Sequence, residues 1–198
     1  MKIEILFPEI SNIYGDTGNI SYLKKCIPGV EIIKTNLGSK PSFLVDKIDL
    51  VYLGSMTEKM QEKAIENLIK YKDEIKQKID EKQAILLTGN ASEIIGKHIE
   101  NEDGTKVEGL DFANIYAKRD MMHRYNTLVL AEFENIKLVG FKSQFSQIYG
   151  ENENNYFAKI IRGTGINKES KLEGIRINNL IATTILGPIL VLNPLFTK

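Results

Sequence analysis

The stretch Ala84–Gly96, AILLTGNASEIIG, has the outline of a site that holds a nucleophile, yet the residue at its turn is a glycine. Ala84–Leu87 is a short apolar run suited to a buried strand. Gly89 is what a tight turn asks for, because glycine takes φ > 0 without steric cost. Ser92, Glu93, Ile94 and Ile95 can then open a helix. Strand, sharp turn and helix in that order lift a nucleophile beside helix N-terminal N–H groups in several hydrolase-like folds. Here the turn reads Thr88, Gly89, Asn90, Ala91, with no cysteine.

The remaining chemistry-bearing residues are scattered. Cys26 is the only cysteine and ends the first predicted helix, before Ile27-Pro28-Gly29, where it reads as a small packed side chain. His98 lies in GKHIENEDGTKVEG and reads as a surface residue near a helix end. His123, with Arg119 and Arg124, makes a small basic cluster in KRDMMHRYN. Two histidines and one cysteine so placed give no metal-ligand spacing, so neither a metal nor another cofactor is expected. Tyr14–Asn19, YGDTGN, precedes a helix as a phosphate cradle would. It matches neither GxxxxGKS/T nor GxGxxG, and Asp16 would repel a phosphate. It reads as a loop that caps the helix through Asp16 or Thr17.

These residues must be positioned by an α/β framework. Lys2–Phe7 alternates as a first strand, Asn19–Lys25 is helical, and Val30–Lys34 is a second strand. Ile48–Leu53 is almost continuously apolar and ends at Gly54, the pattern of a parallel strand buried on both faces. Thr57–Lys82 is Lys/Glu-rich, with Ile65, Leu68, Ile69 and Ile75 at helical spacing, and predicts one long helix. Strand and helix in alternation predict a mostly parallel central sheet containing Lys2–Phe7, Ile48–Leu53 and Ala84–Leu87, with right-handed crossovers. The second half is β-rich. Thr127–Phe133 and Lys137–Phe141 pair across Glu134-Asn135, Phe157–Ile161 and Glu173–Ile177 are further strands, and Leu180–Leu186 and Ile189–Leu192 are apolar. This half is expected to complete the sheet, giving a single domain over residues 1–198.

Charge and composition exclude several classes. Acidic and basic residues balance to a net charge of zero, so no global field draws the chain to nucleic acid. No run approaches the roughly 20 apolar residues that membrane insertion requires. MKIEILFPEI lacks a leader-like pattern, and one cysteine forms no internal disulfide, so a cytoplasmic protein is expected.

Four blocks in order then point to a family. FPEISNIYGDTGNISYLKK, IDLVYLGSMTEKMQEKA, GNASEIIGKHIENEDGTKVEGLDFANIYAKR and EGIRINNLIATTILGPILVLNP span nearly the whole chain. They resemble the class I glutamine amidotransferase-like domains of the cobyric acid synthase type. Among these they are most similar to the amidotransferase subunits of lipid II isoglutaminyl synthases. The resemblance implies a flavodoxin-like class I amidotransferase fold. In that family a turn cysteine attacks the glutamine amide and a late histidine acts as base.

Laying EIIG on the family's QLLG puts Gly89 at the cysteine position, and laying ILGPIL on YLHGPLL puts Leu186 at the histidine position. Gly54-Ser55-Met56 stands where the family has a run of glycines that contributes to the oxyanion hole. The expectation is therefore a domain without a catalytic nucleophile or base, degenerate at Gly89 and Leu186. Thr88 lacks a histidine to activate it. The family's arginine falls at Arg119 or Arg124. Asn90, Ser92, Glu93, Arg124, Tyr14 and Asp16 remain as candidate binding residues. The resemblance implies a Mur-ligase-like partner subunit in peptidoglycan precursor amidation, met by the Tyr14–Asn19, Met56–Gln61 and Met121–Tyr125 segments. The alternatives are an enzyme of another reaction in the old cleft, using Asn90, Ser92, Glu93 or Arg124, and a ligand-sensing domain.

Overall fold

A computed structural model describes all of Met1–Lys198. The first unit is the strand Lys2–Leu6 (β1), the helix Thr17–Cys26 (α1) and the strand Glu31–Thr35 (β2), parallel to β1. A crossover carrying only the 3-10 turn Ser42–Leu44 leads to Leu50–Leu53 (β3) on the other side of β1. Glu58–Leu68 (α2) and Lys72–Asp80 (α3) lead on to Ile85–Thr88 (β4), parallel to β3. Late in the chain Ile175–Ile177 (β13) and Leu180–Thr183 (β14) rejoin this sheet, with β14 parallel to β4. The order is β13-β14-β4-β3-β1-β2. The three strands expected to share one parallel sheet do so.

Period-2 alternation divides this sheet's side chains between two apolar clusters. Leu6, Val51, Leu53, Ile85 and Leu87 enter one, together with Ile65, Leu68, Ile75 and Ile79 of the α2–α3 layer. Ile3, Ile5, Tyr52 and Leu86 enter the other, with Ile20 and Leu23 of α1. Strands buried on both faces explain the near-continuous apolar runs.

Several expected elements differ. Thr57–Lys82 is two helices joined by the 3-10 turn Ile69–Tyr71. At the bend Asn67 donates to the Ser39 carbonyl across 3.1 Å, a long-range tether that helical spacing does not reveal. The helix after Gly89 is a 3-10 segment, Gly89–Ile95, because the chain must turn at Gly96 to pair Lys97 N–H with the Ile115 carbonyl.

The β-rich second half does not simply complete the central sheet. His98–Glu100 (β5), Lys106–Glu108 (β6), Ile115–Arg119 (β7) and Ser146–Gly150 (β10) form one separate sheet. Tyr125–Phe133 (β8), Ile136–Gln144 (β9), Ala158–Arg162 (β11) and Leu172–Glu173 (β12) form another. The expected strand Glu173–Ile177 is broken at Gly174, whose φ of +65° turns the chain from that sheet into the central one. The short helices Ile189–Leu192 (α4) and Pro194–Thr197 (α5) close the chain against β9 and α1. No helix is long and apolar enough to cross a membrane.

Candidate functional site

The C-terminal ends of β3, β4 and β14 converge, as open α/β sheets commonly arrange for a ligand. Gly54 and Ser55 follow β3, Gly89 follows β4, and Leu186 lies just beyond β14. Gly89 has φ +58°, the sharp turn anticipated from sequence. A Cβ placed on Gly89 would lie 2.0 Å from Ser55 Oγ and 3.1 Å from Leu186 Cδ2. The serine side chain thus occupies the space in which a side chain at position 89 would begin. Gly54 preserves a close approach of its own, since a Cβ there would meet the Ser11 carbonyl at 2.7 Å. Leu186 is 2% exposed and is fixed by reciprocal backbone bonds with Phe141 of 2.8 and 3.1 Å.

Behind this floor lies a buried polar frame. Asp16 is at the N-cap position of α1 but makes no capping bond. Its Oδ2 accepts instead from Ser55 N–H at 2.7 Å and from the Thr88 hydroxyl at 2.9 Å. The expected capping role is therefore corrected: the carboxylate ties the ends of β3 and β4 to the loop before α1. Burial raises the Asp16 carboxyl above its ordinary range, against the lowering effect of these donors. Tyr52 OH lies 3.0 Å from Thr88 Oγ1 and accepts from Asn19 Nδ2 at 2.9 Å. Burial, then the Asp16 charge, raises the Tyr52 hydroxyl. Thr88 is buried in this frame, beneath the cleft.

A second chain of bonds holds the 3-10 segment. Glu93 accepts from the Ser146 hydroxyl and, at 2.8 Å, from Gln61 Nε2. Burial raises the Glu93 carboxyl, while Ser146, Gln61 and the Arg119 charge oppose the rise. Gln61 Nε2 also donates to the Asn90 carbonyl, and Gln61 Oε1 accepts from Arg119 at 2.8 Å. Arg119 further donates to Glu62 at 2.5 Å and Asn101 at 2.9 Å, with its side chain only 6% exposed.

Asn90 is locked by reciprocal bonds to Met56 N–H and C=O, of 3.0 and 2.8 Å. Ser92 donates to the Gly89 carbonyl at 2.7 Å. Of the two arginines left open by the sequence, Arg119 is thus built into the frame. Arg124 is exposed and stacks over Phe145 at 4.4 Å.

A cavity of about 20 Å³ opens here, lined by Tyr14, Ser55, Gly89, Asn90, Glu93 and Leu186 among others. Ser92, Asp16 and Arg124 are not among its walls, and no Cys, His, Lys or Arg side chain lines it. Cys26 ends α1 and is exposed, so the expectation of a packed side chain is corrected. His98 stacks on Tyr116 at 5.3 Å, and His123 pairs with Asp120 in an exposed turn.

Of the segments expected to meet a partner, Met56 and Gln61 are buried, while Met121 and Met122 are exposed at 40% and 80%. Tyr14 is half-buried, edge-on to Phe141. Sequence reasoning missed the buried ion pair Lys142–Glu173, 2.5 Å long, formed one residue before Ser143 of the cavity lining. Glu173 also accepts from the Thr183 hydroxyl and the Thr184 N–H, both at 2.8 Å, fixing the exit of β14 toward Leu186.

The family model of the CobB/CobQ-like glutamine amidotransferase domain matches residues 2–191. The GatD subunit of lipid II isoglutaminyl synthase (glutamine-hydrolyzing) from Staphylococcus aureus is 26% identical, over 92% of this chain and 75% of that protein. The same subunit from Streptococcus pneumoniae is 22% identical, over 98% of this chain and 76% of that protein. Among solved structures, a glutamine amidotransferase superposes with TM-score 0.65 at 11% identity, covering 98% of this chain and 94% of the other. A glutamine amidotransferase from Thermotoga maritima gives TM-score 0.61 at 10% identity, covering 93% and 75%.

Proposed function

Starting from a chain that belongs to the CobB/CobQ-like glutamine amidotransferase family, we propose a cytoplasmic subunit that keeps the family's fold without its glutaminase step. The observation that carries this reading is the contact at the turn, where Ser55 Oγ fills the place of a Cβ on residue 89. A thiolate nucleophile needs that space, a base within reach and donors for the oxyanion. The cleft offers glycine at the first position and leucine in the place of the base. Ser55 N–H, a backbone donor at the floor, is already committed to Asp16.

The absence is built in rather than local. A cysteine introduced at position 89 alone would collide with Ser55, so Gly89, Ser55 and Leu186 read as a mutually adapted set. An alternative reaction that uses Asn90, Ser92 or Glu93 draws no support from groups already tied to Met56, Gly89, Ser146 and Gln61. The role that fits is that of a partner subunit. Likeness to subunits of lipid II isoglutaminyl synthase favours a Mur-ligase-like partner in peptidoglycan precursor amidation. Exposed Met121, Met122 and Arg124, with Tyr14 at the cleft mouth, provide the adaptable and aromatic surface for it. Co-purification of the tagged chain from its own cells tests the role. A stoichiometric ligase-like polypeptide is the expected result, and recovery of the chain alone, with its gene neighbours present, would reject it.

A further inference from the structure

We propose that the groove between α1 and the edge strand β2 binds a small phosphate monoester, with Lys24 and Lys34 holding the phosphate and Ile5, Ile20 and Ile32 supporting the organic part. β2 ends the central sheet, and α1 does not seal against it. A cavity of about 250 Å³ remains there, and it shares no wall with the cleft. The two periodicities place its side chains. Ile32 packs into the apolar cluster on the α1 side and Ile33 into the other cluster. Lys34 therefore leaves the sheet on the α1 face, beside Ile5, its register partner on β1. On α1, Lys24 lies one turn after the buried Ile20, and Ser21 one turn after Thr17. All of these except Ile33 line the cavity.

The two lysines are the only charged residues of the lining. Neither takes part in an ion pair. The four acidic residues between Met1 and Gly38 are all engaged elsewhere. Glu4 accepts from Thr35, Ser42 and Phe43, Glu9 accepts from Leu37 N–H, and Glu31 pairs with Lys2. Asp16, whose charge argues against a phosphate beside this loop, turns its Oδ2 to Ser55 and Thr88 and is not among the walls. Two uncompensated ammonium groups suit a doubly charged anion. A phosphate monoester carries a charge of about −1.5 to −2 at neutral pH, where a carboxylate carries one. The exposed hydroxyls of Thr17 and Ser21 add donors for its oxygens. The volume lies below the roughly 300–1,000 Å³ of drug-sized pockets, so the organic part is about the size of a single ring. The site stands independently of the proposed partner role.

Phenyl phosphate titrated into the isotope-labelled chain and followed by amide NMR tests it, with benzoate and inorganic phosphate as comparisons. Saturable shifts at the Thr17, Ser21, Ile32 and Lys34 amides are expected, with a Kd of about 1 mM or below. The double variant Lys24→Gln, Lys34→Gln changes only exposed side chains, and should weaken binding by about tenfold. No saturable shift up to about 10 mM, or an affinity unchanged in the double variant, would overturn the site. Benzoate binding as tightly would overturn the assignment of a phosphate. Inorganic phosphate binding as tightly would overturn the role given to the apolar floor.

Discussion

Two sides of one cleft have fared differently. The floor formed by Ser55, Gly89 and Leu186 presents one hydroxyl and no thiol, imidazole or amine. The frame behind it, from Asp16 through Thr88 and Tyr52 and from Glu93 through Gln61 to Arg119, is buried and densely hydrogen-bonded. The difference teaches what each side is for. A catalytic side chain stabilises a transition state, and the fold stands without it. A buried carboxylate that satisfies backbone and hydroxyl donors holds elements together, and its loss leaves those donors unpaired.

The largest effect should therefore come from the frame. Asp16→Ala removes the acceptor for Ser55 N–H and the Thr88 hydroxyl, and is expected to destabilise by about 3 kcal/mol in urea unfolding. A loss below about 1 kcal/mol would mean that the frame is no stiffer than the floor.

The floor itself is probed by Gly89→Ala. Its Cβ meets Ser55 Oγ at 2.0 Å in a backbone of φ +58°, and the expected loss is about 2–3 kcal/mol. Pairing it with Ser55→Gly should recover about 1–2 kcal/mol of that. Strict additivity in the double-mutant cycle would show that the two residues are not adapted to each other.

Titration sharpens the comparison further. Asp16 and Glu93 both hold protons more tightly folded than unfolded. Their contribution is full below the ordinary carboxyl range and is lost as pH rises through their raised folded values. The stabilisation these two groups supply should thus fall as pH climbs from about 4, opposed by the exposed Glu81, Asp103, Asp120 and Glu132, whose carboxyls are lowered. Glu93→Gln should flatten part of that fall, and an unchanged slope would remove Glu93 from the account.

The smallest effect belongs to Arg124→Ala, which touches neither side. Its stability change should stay within about 0.5 kcal/mol, while capture of a ligase-like partner weakens. A variant that binds the partner as well as the unaltered chain would move the interface elsewhere.

The sequence made the parallel core legible because Ile48–Leu53 and Ala84–Leu87 are buried on both faces and so read as continuous apolar runs. The turn at Gly89 and its neighbour Leu186 were legible through family likeness. What stayed hidden depends on distant partners. Nothing local tells that Glu173 and Ile175 belong to different sheets, or that Arg119 rather than Arg124 turns inward. Asp16 looked like a helix cap because a loop aspartate before a helix usually is one, and only the approach of β3 and β4 gives its carboxylate better donors. The contact of Ser55 with Gly89 joins two strand ends that only the sheet order brings together.

The account rests on the floor being chemically silent, and ammonia release from glutamine measures that directly. The purified chain, alone and with its co-purified partner, should release none above background. Sustained release by the unaltered protein that survives Cys26→Ala would contradict the account, and its abolition by Ser55→Ala or Thr88→Ala would name the hydroxyl responsible.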